Sequence, residues 1–470
     1  MITMPDPFPF NYDFAVLGGG SAGYAAASTA ARLGLKTVVI DGGNEIGGLC
    51  ILRGCMPSKT LIESANRFVT LRRAAEFGLH TGEIGFDAAR IIERKRTLVR
   101  EFADYRKGQL EAGRFEFIRG RASFVDAHTV RIEGGQPSTI RAASFLIATG
   151  SKPRPVRLPG LVDCGFMDSD AVLDSAQIPR SVIVLGGGPT ALEFAHYYEG
   201  LGSTVTLIQR SGQFLREMDA DVAAALVEGF GRRNIRMYFG TKLLHAERAG
   251  GTKRIVFEHA GVETSVEAEE IINTMGRVSA TEDLNLDAAG ITTVHGKLVV
   301  NAHQQTSLGH VFAAGDAAGP YEIVHIAIQQ GEIAARNAAK HLKGGGEPME
   351  STDYRLKLSV VFSEPQVATV GATEKELSNA GSSFEVAKYP FSDHGKSMVM
   401  GETDGFVKLI VASASREILG GAVVGPHASD LIHEIAVAMQ FHASAGDLAR
   451  IPHYHPTLSE IWTYPAEELM

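Results

Sequence analysis

The stretch YDFAVLGGGSAGYAAASTAARLGLKTVVID, residues 12–41, decides the fold. An apolar strand pattern leads into a glycine turn, an alanine-rich helical segment and a second apolar strand. Gly18, Gly20 and Gly23 have the spacing G-x-G-x-x-G, and Asp41 closes the second strand. Such glycines allow a tight turn and the close approach of a pyrophosphate to a helix N-terminus, and the acid can bind a ribose hydroxyl. In this strand, turn, helix and strand context, the stretch predicts a dinucleotide site rather than ordinary turn glycines.

A second copy of this pattern, RSVIVLGGGPTALEFAHYYEGLGSTVTLIQRS, begins at residue 180. Gly186, Gly188 and Ala191 take the three positions of the turn, but the second strand ends in Gln209 and Arg210 instead of an acid. Two such modules imply two dinucleotides. The chemistry that needs both is hydride transfer between a nicotinamide and a flavin.

Two of the three cysteines lie in GGLCILRGCMPSKT, residues 47–60. On an ideal helix, Cα atoms five residues apart are separated by about 8.6 Å, beyond the roughly 7 Å that a disulfide can bridge. We therefore expect a distorted turn, with backbone freedom from Gly54 and with Pro57 at the start of a regular helix that ends at Gly78. Cys55 would then lie near a helix N-terminus, where the helix dipole favours a thiolate.

A close cysteine pair in an intracellular protein is more often redox-active or metal-binding than structural. Zinc requires four ligands, and the sequence has no second Cys or His pair at finger spacing, so we expect a redox pair and no metal. The alternative is two buried apolar cysteines. Cys164 has no cysteine at a signalling distance and is expected to be inert.

Composition limits the classes of partner. The chain has 470 residues, 44% of them apolar, which is enough for about three domains. Its net charge is -9, without a Lys/Arg cluster of the kind that binds nucleic acid. The first ten residues, MITMPDPFPF, lack a signal-peptide pattern, and no long uncharged apolar run occurs. These features predict a soluble cytoplasmic protein with neither a nucleic-acid nor a membrane partner.

Five ordered motifs between residues 12 and 464 resemble the FAD-dependent pyridine nucleotide-disulfide oxidoreductases, and most of all their dihydrolipoamide dehydrogenase branch. The first glycine module is one of them. The others are Cys-x4-Cys with Pro57, Ser58 and Lys59, TSLGHVFAAGDAAG at 306–319, the ATG and GR junctions at 148–150 and 276–277, and HPTLSE at 455–460.

The resemblance implies an α/β fold with two Rossmann-like dinucleotide-binding domains and a C-terminal α+β domain. The implied parts are an FAD-binding domain at 1–152, an NAD(P)-binding domain at 153–278, a central segment at 279–350 that completes the FAD domain, and a dimerisation domain at 351–470. The polar, glycine-rich stretch KGGGEPMEST at 343–352 independently indicates a linker.

The resemblance also implies roles for individual residues. Cys50 would exchange with the substrate disulfide, and Cys55 would be the thiol on the flavin side. His455 would carry the substrate proton, with its ring oriented by Glu460. In the family this histidine comes from the partner subunit, so the resemblance implies a homodimer. Lys59 and Glu193 match an ion pair beside the flavin.

The cofactor contacts implied by the resemblance fall into two sets. For FAD they are Gly18, Gly20, Ser21, Ala22, Gly23, Asp41, Lys59, Ala122, Thr149, Gly150, Gly315, Asp316 (on the ribityl chain) and His325. For the nicotinamide dinucleotide they are Gly186, Gly188, Ala191, Glu193, Arg210, Arg216 and Gly276.

Departures from the family patterns bear on the substrate. Arg53 lies beside the cysteines, where it could favour a thiolate or meet an acidic partner, or simply be solvated. Ser28 stands where glutathione reductases have an arginine, and the ending EIWTYPAEELM lacks the C-terminal redox cysteines of mercuric reductases. The pattern favours a dihydrolipoamide/lipoamide substrate, whether free or on a lipoyl protein. The alternatives are an NADPH-dependent reductase of another small or protein disulfide and a non-catalytic flavin-binding subunit of a complex.

The second dinucleotide is predicted to be NADP(H) rather than NAD(H). The acid that binds the ribose 2′-hydroxyl in NAD modules is replaced by Gln209. Arg210 and Arg216 follow at the six-residue spacing of the arginine pair that binds the 2′-phosphate in glutathione reductases. Two guanidinium groups gain charge-assisted hydrogen bonds from a phosphate but little from a hydroxyl. The alternative is that both arginines are solvated loop charges.

Overall fold

The first glycine module folds as predicted in the computed structural model, which describes residues 10–295, 297–344 and 346–470. Strand β1, Tyr12–Leu17, leads through the glycine turn into helix α1, Ser21–Arg32, and then into strand β2, Thr37–Asp41. The two strands pair in parallel, as a βαβ unit requires. Small alanines on the buried side of α1 let the helix lie close to the sheet.

The remaining elements alternate between strands and helices along the chain. The other strands are β3 Glu116–Arg119, β4 Arg121–Asp126, β5 Thr129–Glu133, β6 Thr139–Ile147, β7 Ser151–Pro153, β8 Ser181–Leu185, β9 Thr204–Ile208, β10 Arg236–Tyr238, β11 Lys242–Ala249, β12 Thr252–His259, β13 Val262–Ala268, β14 Glu270–Asn273, β15 Arg277–Ser279, β16 Thr293–Val294, β17 Lys297–Leu298, β18 Val311–Ala313, β19 Leu358–Val361, β20 Gln366–Gly371, β21 Phe384–Pro390, β22 Phe406–Ala412 and β23 Ile418–Gly425. The other helices are α2 Gly48–Leu52, α3 Cys55–Arg72, α4 Ala88–Leu110, α5 Leu161–Cys164, α6 Ser169–Asp174, α7 Pro189–Gly200, α8 Ala220–Arg232, α9 Leu286–Ala289, α10 Val324–Leu342, α11 Glu374–Asn379, α12 Gly395–Met400, α13 Ala428–Gln440, α14 Ala445–Ala449 and α15 Thr463–Glu468. Short 3-10 helices lie at Ala74–Phe77, Glu282–Leu284, Gly315–Ala317, Phe391–Asp393 and Ser459–Trp462.

The chain divides into two compact units. The first unit consists of the residues up to Ser58 together with Glu93–Arg154 and Arg277–Asp353. It is built on a sheet in which β3, β2, β1 and β6 run in parallel in that order, with β18 also parallel to β6. Strands β5 and β4 extend this sheet in antiparallel pairing. Apolar residues on both faces of the parallel strands are buried, as a sheet covered on both sides requires.

The second unit contains Lys59–Ile92, Pro155–Gly276 and Tyr354–Met470. Its second glycine module lies in a parallel sheet of order β10, β9, β8 and β14, beside the antiparallel strands β11, β12 and β13. Its C-terminal part forms a five-stranded antiparallel sheet of order β19, β20, β23, β22 and β21. Helix α13 covers that sheet, and Trp462 is fully buried in the same apolar cluster.

The cysteine segment breaks the helix instead of distorting it. Helix α2 ends at Leu52, and α3 begins at Cys55, so that Arg53 and Gly54 separate the two. The prediction that Pro57 starts the helix was wrong by two residues. The predicted end at Gly78 was also wrong, because α3 ends at Arg72 and a 3-10 turn follows it.

Candidate active site

The glycine turn of the first unit has no space for a side chain at Gly18 or Gly23. Gly18 has φ 108°, and a Cβ atom there would overlap the carbonyl oxygen of Ala148. A Cβ atom on Gly23 would overlap the carbonyl oxygen of Gly18. Gly20 caps the 12-residue helix α1 without a side-chain hydrogen bond, which leaves the N–H groups at the start of α1 available to an anion.

Polar groups around this turn fit a dinucleotide. The Asp41 carboxylate accepts hydrogen bonds from the N–H groups of Gly19 and Gly43, both at 2.8 Å, which fixes the acid at the end of β2. The hydroxyl of Thr149 is buried and has no hydrogen-bond partner within the described residues. A buried hydroxyl without a partner is costly, so Thr149 is suited to a ligand group at this place. The turn formed by Gly18, Gly20 and Gly23, here called the glycine cradle, therefore fits FAD together with these polar groups.

We expect Gly23→Ala to weaken FAD binding by about tenfold or more, because the added methyl group forces α1 away from the turn. The measurement is the flavin-to-protein absorbance ratio after gel filtration at increasing dilution. Gly108→Ala is the matched control, since a Cβ atom on Gly108 meets nothing within 4 Å. Equal flavin retention by both variants would contradict this use of the cradle.

The second flavin motif converges with the first on the same unit. Asp316 lies in a 3-10 turn, and its carboxylate accepts a hydrogen bond from Ser151 Oγ at 2.6 Å. Arg277 Nε donates to the same Ser151 oxygen at 2.8 Å. The other predicted FAD residues are distributed around the unit: Ser21 and Ala22 open α1, Ala122 lies in β4, Gly150 follows β6, Gly315 begins the 3-10 turn and His325 is the second residue of α10.

The second glycine module is built in the same way. A Cβ atom on Gly186 would lie 2.7 Å from Thr274 Oγ1, whereas one on Gly188, the N-cap of α7, would meet nothing within 4 Å. Ala191 is buried in α7. The Gln209 side chain fills the place beside Gly187, and its Oε1 accepts the N–H of Arg210 at 3.0 Å.

The two arginines after this module are exposed. Arg210 is exposed and is the second residue after β9. Arg216 Nε lies 2.8 Å from Glu217 Oε1, and the two side chains are 67% and 81% exposed. An ion pair so exposed contributes little, so it does not prevent Arg216 from binding another anion. Gly276, with φ 101°, closes the second module after β14.

Lys59 and Glu193 form the ion pair that the family resemblance implies. Lys59 Nζ lies 2.9 and 2.8 Å from the two carboxylate oxygens of Glu193. Glu193 is 5% exposed and also accepts the N–H of Phe362 at 3.2 Å. The Lys59 ammonium lies 4.8 Å from the centre of the Phe362 ring. Phe362, the residue after β19, therefore contacts both members of the pair and fixes the position of the lysine charge.

Cys50 and Cys55 lie in neighbouring helices and are both half-buried. Cys55 is the first residue of α3, the position at which the helix dipole favours a thiolate. Arg53, between them, pairs with Glu45 at 3.2 Å, with both side chains partly exposed. Cys164 is buried apart from this pair, and burial raises the pKa of its thiol. That shift is unfavourable for a redox thiol.

The C-terminal histidine and glutamate are in contact. His455 Nδ1 lies 3.0 and 3.2 Å from the two carboxylate oxygens of Glu460. The His455 side chain is 78% exposed, whereas Glu460 is buried in the 3-10 turn Ser459–Trp462. A carboxylate that accepts from Nδ1 leaves Nε2 as the nitrogen that can exchange a proton. A third residue, His394, is marked by no sequence motif, and its Nε2 lies 3.4 Å from Glu460 Oε1.

An acidic cluster in the second unit already contains a cation. Asp219, Asp221 and Glu374 have carboxylate oxygens close enough to share a metal ion. Lys408 Nζ, however, lies 2.8 Å from an oxygen of each. Burial opposes the charge on Lys408, but the three carboxylates outweigh burial and raise its pKa. The ammonium group occupies the position that an ion would take.

Among the helices of the described residues, none is both long enough and apolar enough to span a bilayer.

Comparison with known proteins gives matches to two family models. Residues 12–331 match the family described as pyridine nucleotide-disulphide oxidoreductase, and residues 358–466 match the dimerisation domain of that family.

Curated relatives and solved structures agree with these matches. A dihydrolipoyl dehydrogenase of Chlamydia muridarum is 35% identical over 97% of this chain and 96% of its own length. A mercuric reductase of Bacillus cereus is 30% identical over 98% of this chain but only 72% of its own length. The crystal structure of LpdA from Mycobacterium tuberculosis superposes with a TM-score of 0.87 at 30% identity, covering 97% of this chain and all of that one.

Proposed function

Because the chain belongs to the pyridine nucleotide-disulphide oxidoreductase family, we propose that it catalyses electron exchange between NADP(H) and a dithiol/disulfide substrate, dihydrolipoamide/lipoamide above all. The chain is thus an FAD-dependent oxidoreductase with the family's α/β fold. The observation that carries the substrate class is the contact between His455 and Glu460, in a chain that also places Cys55 at a helix N-terminus. Relatives named dihydrolipoyl dehydrogenase over nearly the full length support the lipoyl substrate.

The proposed chemistry follows from thiol–disulfide exchange. A substrate thiolate attacks the sulfur of Cys50 in a Cys50–Cys55 disulfide, a mixed disulfide forms, and Cys55 leaves as a thiolate. The second substrate thiolate then attacks the substrate sulfur of that mixed disulfide. The substrate leaves as a disulfide, oxidised by two electrons, and both cysteines are left reduced. FAD, when bound, supplies the carrier of these two electrons to the nicotinamide.

His455 is proposed to take the proton of the attacking substrate thiol at Nε2. Its Nδ1–H donates to Glu460, which holds the ring in one tautomer and compensates the imidazolium charge. The exposure of His455 and the match to a dimerisation domain support a homodimer in which the histidine serves the partner's cysteine pair. A cytoplasmic location, without a membrane or nucleic-acid partner, stays a prediction.

A steady-state panel tests the substrate. Lipoamide, glutathione disulfide and a protein disulfide are each assayed with NADH and NADPH, and lipoamide is expected to give the highest kcat/KM. A higher value with another disulfide would support the alternative reductase. An oxidised-flavin spectrum without turnover, and without a long-wavelength thiolate–flavin band on partial reduction, would indicate a non-catalytic subunit.

NADP(H) is the proposed dinucleotide because Gln209 leaves no acid to repel a 2′-phosphate and two exposed arginines follow it. We expect kcat/KM for NADPH to exceed that for NADH by about tenfold or more, the effect of one to two charge-assisted hydrogen bonds. Arg210→Glu should reverse the preference, and Arg131→Glu, an exposed charge reversal in the first unit, should not. A wild-type kcat/KM for NADH that equals or exceeds the value for NADPH would refute the assignment of Arg210 and Arg216 to a 2′-phosphate.

A further inference from the structure

We propose that His394 is a positioning residue for the dithiol half-reaction and holds the Glu460 carboxylate in the orientation that receives His455. The inference rests on the proposed function, because it assigns a third member to the same proton-transfer group. His394 belongs to neither sequence motif of the site. It comes from the segment between β21 and α12, 66 residues before Glu460 in the printed sequence.

The geometry places one carboxylate between two imidazoles. His394 is completely buried, and its Nε2 lies 3.4 Å from Glu460 Oε1. His455 lies on the same carboxylate through Nδ1, at 3.0 Å from Oε2, but its own side chain is 78% exposed. The exposed ring therefore depends on the carboxylate for its orientation, and the carboxylate contacts a ring that is fixed by burial.

The proton positions on His394 follow from its other nitrogen. Nδ1 lies 2.8 Å from Ser397 Oγ. We assign the Ser397 hydroxyl as the donor to Nδ1, which leaves the ring proton on Nε2. Nε2 makes no hydrogen bond of good geometry within the described residues, and Glu460 Oε1, at 3.4 Å, is the carboxylate oxygen beside it. The opposite tautomer would set the lone pair of Nε2 against a carboxylate, which is repulsive. Burial lowers the pKa of His394 even though Glu460 opposes the shift, and a lowered pKa favours the neutral ring with a single N–H.

Contacts of the His394 backbone and ring hold this side chain in one position. His394 is the residue before α12, and its N–H donates to the carbonyl of Phe391 at 3.2 Å. Its ring also meets the ring of Tyr464 edge to face, with centroids 6.4 Å apart. A neutral donor held in this way favours one carboxylate rotamer without competing for the proton that His455 carries.

The test separates the two half-reactions by stopped flow. His394→Phe keeps an aromatic ring and removes the donor, and we expect about a tenfold slower dithiol half-reaction with nicotinamide-to-flavin hydride transfer unchanged. His394→Gln, whose amide can donate to Glu460, should recover most of the loss. His196→Phe is the matched control, because His196 is equally buried but bonds Asn66 and should not separate the half-reactions.

A double-mutant cycle distinguishes positioning from packing. In a Glu460→Ala background the donor has no target, so adding His394→Phe should cost no further activity in the dithiol half-reaction. If His394→Phe does not fold, Ser397→Ala provides the test, since it frees the tautomer and should slow the same half-reaction by about twofold to threefold.

Three results would overturn the assignment: an unchanged dithiol half-reaction in both His394→Phe and Ser397→Ala, an equal loss in the two half-reactions, or the full loss persisting in the Glu460→Ala background. The wild-type enzyme is assayed first with dihydrolipoamide and other dithiols. Inactivity there would refute the proposed function itself, whereas an active wild type with indifferent variants would refute only the role of His394.

Discussion

Cys50→Ser is expected to retain FAD and to lose dithiol turnover by about 1,000-fold or more. The reason is that the exchange reaction requires a sulfur at this position to form the mixed disulfide, and a serine oxygen cannot replace it. The substitution leaves the glycine cradle, Asp41 and Thr149 unchanged, so flavin binding should be preserved. Cys55 remains at the start of α3, where the helix dipole favours its thiolate.

The measurement combines the flavin absorbance ratio with steady-state oxidation of dihydrolipoamide. Cys164→Ser is the matched control, because Cys164 is only 2% exposed and packs in an apolar cluster that contains neither Cys50 nor Cys55. The control should keep turnover within about twofold, since it removes only a packed thiol. Normal dihydrolipoamide turnover by Cys50→Ser would refute the role of the pair.

The glycine modules could be predicted because the glycine spacing and the order of strand, turn, helix and strand lie within about 30 residues of sequence. Gly23 must approach the carbonyl group of Gly18 within the same stretch, which fixes the start of the helix against the turn. The close approach of Gly18 to Ala148, 130 residues further along the chain, could not be predicted from this stretch. The apolar strands and the alanine face of α1 have periodicities that belong to one secondary structure each. The predicted α/β class is confirmed by the parallel strands at the centre of one sheet in each unit and by the family matches.

Contacts between distant segments were predictable only where a motif marked both ends. Lys59 and Glu193 are 134 residues apart, and their pairing followed from resemblance to a family rather than from any pattern in the sequence. His394 had no such marker. A buried neutral histidine looks like any other polar residue until the chain folds it against Glu460, so neither composition nor spacing could identify it.

The end of α3 shows how tertiary structure overrides a local pattern. The apolar stripe continues past Arg72, which is why the sequence predicted a helix up to Gly78. Arg73, the next residue, instead donates to the carbonyl of Gly401 at 2.8 Å and contacts Glu76. These contacts favour a tighter 3-10 turn over a further turn of α-helix.

His455→Gln is expected to slow the dithiol half-reaction by about 100-fold or more while leaving nicotinamide-to-flavin hydride transfer unchanged. Glutamine can still donate to Glu460 but cannot take up a proton at neutral pH, so the loss reports proton transfer rather than packing.

Stopped-flow absorbance at the flavin band, with dihydrolipoamide in one experiment and NADPH in the other, measures the two half-reactions separately. His245→Gln is the matched control, because His245 also faces a glutamate, Glu247 at 3.9 Å, but from the partly exposed strand β11. An equal loss in both half-reactions of His455→Gln would mean that this histidine supports the flavin site or the fold. A loss confined to the dithiol side, with His245→Gln unaffected, would place the proton at His455, because hydride transfer from the nicotinamide requires no base on that side.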